Sequence, residues 1–226
     1  MITILETTPK NPISLMGLRA GICWNADTSD TQKNYQRGID CIKADHGRLL
    51  EFVNVDMVIE EFSARVIREY MRHVGGGLTL LQESTRYVNC SHFQFVVPPY
   101  MRNAKSKNPE MEYEYMQIMN EIGSAYEKLI GLGMPKEDAA NVLPLGMITK
   151  LVDHKNLRNL ADMSRKRLCS RAYWEFRELM NEIMKALCDY SEEWITVVAM
   201  LFRPQCEILG YCPEKKSCGR KPKKEN

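Results

Sequence analysis

Two stretches of the chain gather arginine with groups that bind oxyanions. In "MRHVGGGLTLLQESTRYV", residues 71–88, Arg72 and Arg86 bracket Gly75, Gly76 and Gly77 and a run holding Gln82, Ser84 and Thr85. Glycines let a backbone come close to a ligand and turn its amides toward an anion. The hydroxyls and the amide add donors, and a guanidinium fork matches phosphate oxygens in pairs. The spacing is not that of a P-loop, because no Gly-Lys-Ser/Thr follows the glycines. It is not a dinucleotide fingerprint either, because the glycines follow a predicted helix rather than a strand. Two readings stand on the residues alone: a phosphate site of unstated type, or a glycine-rich loop with a surface arginine.

The second stretch is "NLRNLADMSRKRLCSRAYWE", residues 156–175, within which and just beyond which five arginines fall between 158 and 177. At about 100° per residue, Leu157, Leu160, Ala161, Ser164 and Leu168 form one packing face. Asn156 and Arg167, eleven residues apart, project about 20° from each other at one edge of it. Arg158 and Asp162 lie toward the other edge as an i, i+4 pair that would brace the helix. A charge-rich exposed helix is the alternative to a ligand site here.

These residues need elements to hold them. "EFVNVDMVIE" (51–60) alternates, with Val53, Val55, Met57 and Ile59 on one face and Asn54 and Asp56 on the other, which predicts a half-buried strand. It runs into "EFSARVIREYMRH" (61–73), where Phe62, Val66 and Tyr70 recur at helical spacing and Arg65, Glu69 and Arg72 share the opposite stripe. That helix is expected to stop at Gly75–Gly77, since glycine loses too much backbone freedom inside a helix. "FQFVVPP" (93–99) predicts a second strand closed by its prolines. Helices are expected over 108–132, 135–141, 155–167, 171–189 and 191–203, while 143–152 fits strand or helix. Strands toward the front and helices behind predict an α+β fold: a central, mostly antiparallel sheet flanked by helices, with a helical C-terminal half.

A length of 226 residues without internal repeat or long linker predicts a single domain, set at 1–213. Residues 214–226 carry six basic and two acidic side chains and are expected to be a flexible basic tail. The body shows no basic stripe, so no nucleic-acid partner is expected. No apolar run approaches the ~20 residues of a membrane span, and "MITILETTPK" lacks the order of a secretory signal; no membrane association and a cytoplasmic location are expected. None of the eight cysteines forms a C-x-x-C set. Cys206, Cys212 and Cys218 are evenly spaced, but reduced thiols and no metal are the expectation.

The chain resembles the flavin-dependent thymidylate synthases. The family signature reads R-H-R, two residues, S, one residue, N, two residues, S, one residue, R. Here Arg72-His73 opens it and Ser84-Thr85-Arg86 closes it. Val74 stands at the third position, the glycine region is about two residues longer, and Leu81 and Gln82 stand where asparagine and often glutamate are usual. The "VLPLGM" segment (142–147), "NLRNLADMSRKRLCSRAYWEFREL" and the closing "GYCPEKKSCGR" add to the likeness, which spans about residues 46 to 218.

The resemblance implies a homotetramer, with FAD and dUMP bound between subunits. It implies methylene transfer from methylenetetrahydrofolate to uracil C5, hydride from reduced flavin and NADPH as reductant. It places Glu69, Arg72, Gln82, Ser84, Thr85, Arg86 and Arg167 at dUMP. It places Asp56, Arg72, His73, Val74, Gln82, Asn156, Arg158 and Asp162 at FAD, with Asp56 where a threonine is common and Ala140 where another phosphate arginine is usual. Arg167 matches the arginine that activates the nucleotide. A guanidinium at the pyrimidine edge would stabilise negative charge on N3 and O2 while C5 attacks, and being always protonated it would act electrostatically rather than as a base. Ser84 is expected to bind rather than attack, since a serine nucleophile needs an adjacent base. A catalytically silent nucleotide-binding relative of the same fold is the alternative.

Overall fold

The structure is a computed structural model that describes residues 1–75, 79–102 and 108–224. In chain order it runs β1 (Ile2–Ile4), α1 (Pro12–Cys23), α2 (Thr31–Lys43), β2 (Asn54–Ser63), α3 (Ala64–Tyr70), β3 (Leu80–Gln82), α4 (Pro99–Arg102) and α5 (Pro109–Gly131). There follow α6 (Lys136–Ala139), β4 (Ile148–Asn156), α7 (Leu157–Arg167), α8 (Trp174–Tyr190), α9 (Glu192–Leu201) and α10 (Gln205–Leu209). One four-stranded antiparallel sheet has the order β1-β2-β4-β3. The α+β class, the antiparallel sheet and the helical C-terminal half are as expected.

Two compact units divide the chain. One comprises Met1–Val58, Tyr70–Leu80 and Val152–Asn226. Its core takes Val53 and the alternate β2 residues Val55 and Met57, all fully buried, together with Leu157, Leu160 and Met163 of α7 and Phe176, Leu179 and Ile183 of α8. Helices α1 and α2 pack backbone to backbone. A Cβ on Gly17 would sit 1.7 Å from the Asn34 carbonyl oxygen, and one on Gly38 would sit 2.1 Å from that of Ile13. Only glycine permits that approach. Asp30 caps α2 by accepting from the Gln32 and Lys33 amides. At the start of α1 the Glu193 carboxylate accepts from the Ile13 and Ser14 amides at 2.7 and 3.0 Å, where a helix N-terminus favours negative charge.

The inward face of β4 carries two charges. Leu151, Asp153 and Lys155 are buried while Lys150, Val152 and His154 are exposed. Tyr70 donates its hydroxyl to Asp153 Oδ2. Lys155 Nζ stands 3.6 Å from the same oxygen and 4.8 Å from the Tyr70 ring centroid, an ion-pair distance too long for a hydrogen bond. Asp153 Oδ1 and Lys155 Nζ have no hydrogen-bond partner. Burial pushes the Asp153 carboxyl up and the Lys155 ammonium down, against their mutual attraction.

The other unit comprises Ile59–Glu69 and Leu81–Leu151. Its small core is built on Cys90, Tyr126 and Ala139 with Leu129, Ile130, Leu143 and Met147 around them. Asn108 caps α5 through the Glu110 and Met111 amides. Strand β2 extends three residues beyond the expected boundary. Glu61 adopts a left-handed φ of 69°, which breaks the alternation, so that Phe62 and Ser63 are both buried. Ser63 then accepts from the Val66 amide at 3.2 Å and starts α3.

Several expectations are corrected. Residues 93–99 form no full strand: Phe95 makes an isolated antiparallel bridge with Met147. The prolines end even that, Pro99 opening α4. Helix α3 ends at Tyr70, so Arg72 lies in the turn that follows and does not share a helical stripe with Glu69. Gly76 and Gly77, expected to stop that helix, lie outside the described residues. Residues 148–156 resolve as strand. Among the described residues, no helix is long and apolar enough to cross a membrane.

Candidate functional site

Arg167 is the last residue of α7. Asn156 fixes the register of that helix as its N-cap, accepting from the Asn159 amide at 2.8 Å. The predicted packing face is buried at Leu157, Leu160, Ala161 and Ser164, whereas Leu168 lies just past the helix end. At the far end Arg167 donates Nε–H to His73 Nε2 at 2.9 Å. Its guanidinium lies over the buried Phe176 ring, 4.4 Å from the centroid, a cation–π arrangement. His73 meets the same ring edge-on at 5.7 Å.

His73 reaches this place through the turn after α3, where its amide donates to the Tyr70 carbonyl at 3.0 Å. Burial, then the charges of Arg167, Lys166, Lys155 and Arg72, lower its pKa from 6.5 to about 4. The ring is therefore neutral near pH 7. Since Nε2 accepts from Arg167, the proton sits on Nδ1.

A cavity of about 210 Å³ lies along the start of α7, lined by Glu51, Gly75, Asn156, Arg158, Asn159 and Asp162. It brings together three of the predicted cofactor residues: Asn156, Arg158 and Asp162. Asn159 Nδ2 donates to the carbonyls of His73 (3.3 Å) and Gly75 (2.5 Å), tying the turn to the helix. Asn159 Oδ1 is buried with no hydrogen-bond partner among the described residues. A Cβ on Gly75 would stand 2.8 Å from Asn159 Nδ2, so a larger residue there would have to displace that amide. The expected Arg158–Asp162 brace is not formed. Arg158 pairs with Glu51 at 2.6 Å and Asp162 with Arg165 at 3.1 Å, because the short 3-10 helix Gly47–Phe52 supplies a better-placed carboxylate.

Asp56 stands on the outward face of β2, where it meets His154 of β4 and its backbone exchanges hydrogen bonds with Thr8 Oγ1. Arg72 and Val74 are exposed on the turn beside His73.

The remaining predicted residues belong to the second unit. Gln82 ends β3 and donates to Thr149 Oγ1 at 3.2 Å. Ser84 opens a turn whose carbonyl accepts from the Tyr87 and Val88 amides at 3.2 and 3.1 Å. Its hydroxyl accepts from the Arg86 amide at 3.3 Å. Thr85 is half-buried in that turn and Glu69 half-buried on α3. Arg86 pairs through Nε with Glu137 at 2.7 Å, both side chains more than half exposed. Lys136 donates to the Tyr87 carbonyl at 3.0 Å, so a second cation attends the turn. Ala140 begins the one-turn helix that follows α6.

Asn159, Phe176 and Glu51 were not anticipated. A polar residue next to an otherwise apolar helix face was the available signal for Asn159, while Phe176 and Glu51 carry none in sequence. All eight cysteines are free. Among the described residues, no three His, Cys, Asp or Glu side chains are grouped to hold a metal.

A family model described as "Thymidylate synthase complementing protein" matches residues 3–190. A flavin-dependent thymidylate synthase of Nitratidesulfovibrio vulgaris is 32% identical over 247 aligned positions, covering 100% of this chain and 96% of the relative. One from Clostridium tetani is 29% identical, covering 97% and 93%. The crystal structure of the Helicobacter pylori flavin-dependent thymidylate synthase, complexed with FAD and dUMP, superposes with a TM-score of 0.63 at 16% identity, covering 82% of this chain and 93% of that one; the likeness there is one of fold. The chain belongs to the flavin-dependent thymidylate synthase family.

Proposed function

We propose that this protein makes dTMP from dUMP, with methylenetetrahydrofolate as one-carbon donor, reduced FAD as hydride donor and NADPH as reductant. The observation that carries the reading is Arg167, a cation held by a neutral histidine and an aromatic face. In a chain of this family, that arrangement suits a fixed positive charge at the edge of a pyrimidine. A guanidinium whose orientation is set before substrate arrives needs no reorganisation as charge develops on N3 and O2.

The residues around the start of α7 fit a flavin nucleotide. Asn159 Oδ1, buried and without a hydrogen-bond partner among the described residues, could accept from it, Arg158 and Asn156 offer groups for phosphate and hydroxyl, and Gly75 brings backbone to the rim. Asn156, Arg158 and Asp162 would hold FAD there, with Asp56, Arg72, His73, Val74 and Gln82 as further contacts. Bound FAD would supply the hydride that neither arginine nor serine can provide. His73 would keep Arg167 aimed by accepting its Nε–H.

For dUMP, Arg86 and the Ser84–Thr85 hydroxyls would bind the phosphate. Lys136 adds charge beside the turn at which Ala140 offers none. Glu69, Arg72, Gln82 and Arg167 would be further contacts of the nucleotide. Sites of this kind would be shared between subunits of a homotetramer. The apolar side chains that α5 leaves exposed, Tyr113, Met116 and Ile118 among them, support self-association. Residues 1–213 would form the enzyme domain.

The test is tritium release from [5-³H]dUMP with methylenetetrahydrofolate and NADPH, on protein whose flavin absorbance is recorded first. Release together with NADPH bleaching of the flavin is expected. Bound flavin and nucleotide without release would instead identify a catalytically silent relative.

A further inference from the structure

A cavity of about 500 Å³ lies between the C-terminal end of α7 and the segment from Pro204 to Lys221. Its charges are one-sided. Arg165, Lys166 and Arg167 enter from the last turn of α7, Arg171 from the loop after it, and Lys216, Arg220 and Lys221 from the C-terminal segment, against Glu214 as the one lining carboxylate among the described residues.

Two of these cations fix the architecture. Arg171 donates to Glu214 at 3.2 Å, and Arg220 donates to the Leu168 carbonyl at 3.3 Å and pairs with Glu207 at 3.8 Å. The Cys212 amide closes the loop by donating to the Pro222 carbonyl at 2.7 Å. Among the described residues, no carboxylate is within ion-pair distance of Lys166, Lys216 or Lys221. Arg165 pairs with Asp162 at one end of its guanidinium, yet its Nε–H is buried without an acceptor.

Like charges gathered in a concavity repel one another, and low-dielectric walls focus their field. Pro204, Cys206, Cys212 and Pro213 supply such walls. A loop that draws lysines toward an already basic helix end is stabilised by a ligand of opposite sign.

We propose that this cavity is a binding site for a small polyanion bearing two or more carboxylate or phosphate groups, next to the helix end that carries Arg167. The charge argument stands without the proposed reaction, and that reading serves only to name the sources. A folate carrying a chain of glutamates would bring carboxylates, and NADPH its 2′-phosphate.

Two probes separate the sources: a tetraglutamate peptide and adenosine 2′,5′-bisphosphate, each titrated calorimetrically into the full-length protein. Saturable binding that weakens with added salt is expected for at least one. Tetraglutamate alone assigns the site to a carboxylate tail, the nucleotide alone to a phosphate, and mutual displacement to both in one place. The double variant K216Q/K221Q should bind about tenfold more weakly, two charge-assisted contacts being lost. The control K215Q/K224Q removes the same charge from side chains outside this cavity and should bind as the parent does. Absence of saturable binding by either probe, or equal weakening in both double variants, would overturn the site. An active enzyme that binds neither probe refutes only the site, and an inactive one that binds a probe refutes only the proposed reaction.

Discussion

Arg167 and Arg86 are the same side chain held in two opposite ways. Arg167 is fixed from within its own unit by a half-buried neutral imidazole and the face of a buried phenyl ring. Arg86 is held by an exposed carboxylate on a surface turn. An exposed ion pair contributes about 0–1 kcal/mol and is readily exchanged for water or another anion. A cation aimed by a half-buried neutral acceptor and packed on a buried ring is not easily displaced. The first arrangement suits a charge that must stay in place during a reaction, the second a charge that must release one partner to take another.

The largest effect should come from removing the fixed charge. Arg167→Ala is expected to lower kcat by about 10²–10³, as loss of one preorganised electrostatic group does, with flavin retained. Unchanged dTMP formation would refute its role. Next comes Arg86→Ala, which should raise the Kd for dUMP about 10–100-fold, the worth of a charged hydrogen-bonded contact to phosphate. An unaltered titration would remove the phosphate assignment.

A smaller effect follows from His73. Its pKa, about 4 in the folded chain against 6.5 for the free side chain, means the unfolded state takes up a proton first as pH falls. This contribution to stability is present above pH 6.5 and is lost between about 6.5 and 4. The melting temperature should fall across that window, and the His73 part of the fall should vanish in His73→Gln, which keeps an acceptor but cannot titrate. The least effect is expected of Glu137→Gln. Freeing Arg86 from its competitor should tighten dUMP binding about two- to threefold.

Much of the frame was legible because its pattern is local. The β2 alternation at Val55, Met57 and Ile59 and the packing face of α7 follow from side-chain period alone. Other parts were hidden for identifiable reasons. Helices α1 and α2 carry Gly17, Gly21 and Gly38, which argue against helix until one sees the backbones touching. Strand β4 places Asp153 and Lys155 on its buried face, so its alternation does not read as apolar and polar. The left-handed Glu61 moves the start of α3, and the end of that helix at Tyr70 takes Arg72 off the stripe of Glu69.

At the site, motif spacing reached the arginines, His73 and the α7 residues, but not what each one touches. Arg158 takes Glu51 rather than Asp162 because that partner comes from a distant part of the chain. Asn159 matters through two carbonyls that no spacing rule connects to it.

The charges inside β4 have a consequence for how this protein tolerates change. Asp153 and Lys155 are held in a dry interior by each other and by Tyr70, so losing either partner leaves an orphan ion there. That typically costs about 3–5 kcal/mol, whereas exchanging both for well-fitted apolar residues can be neutral. Positions 153 and 155 should therefore behave as one hereditary unit. A route to a more oil-like strand passes through a valley at either single substitution, and a double-mutant cycle read by chemical denaturation would measure its depth.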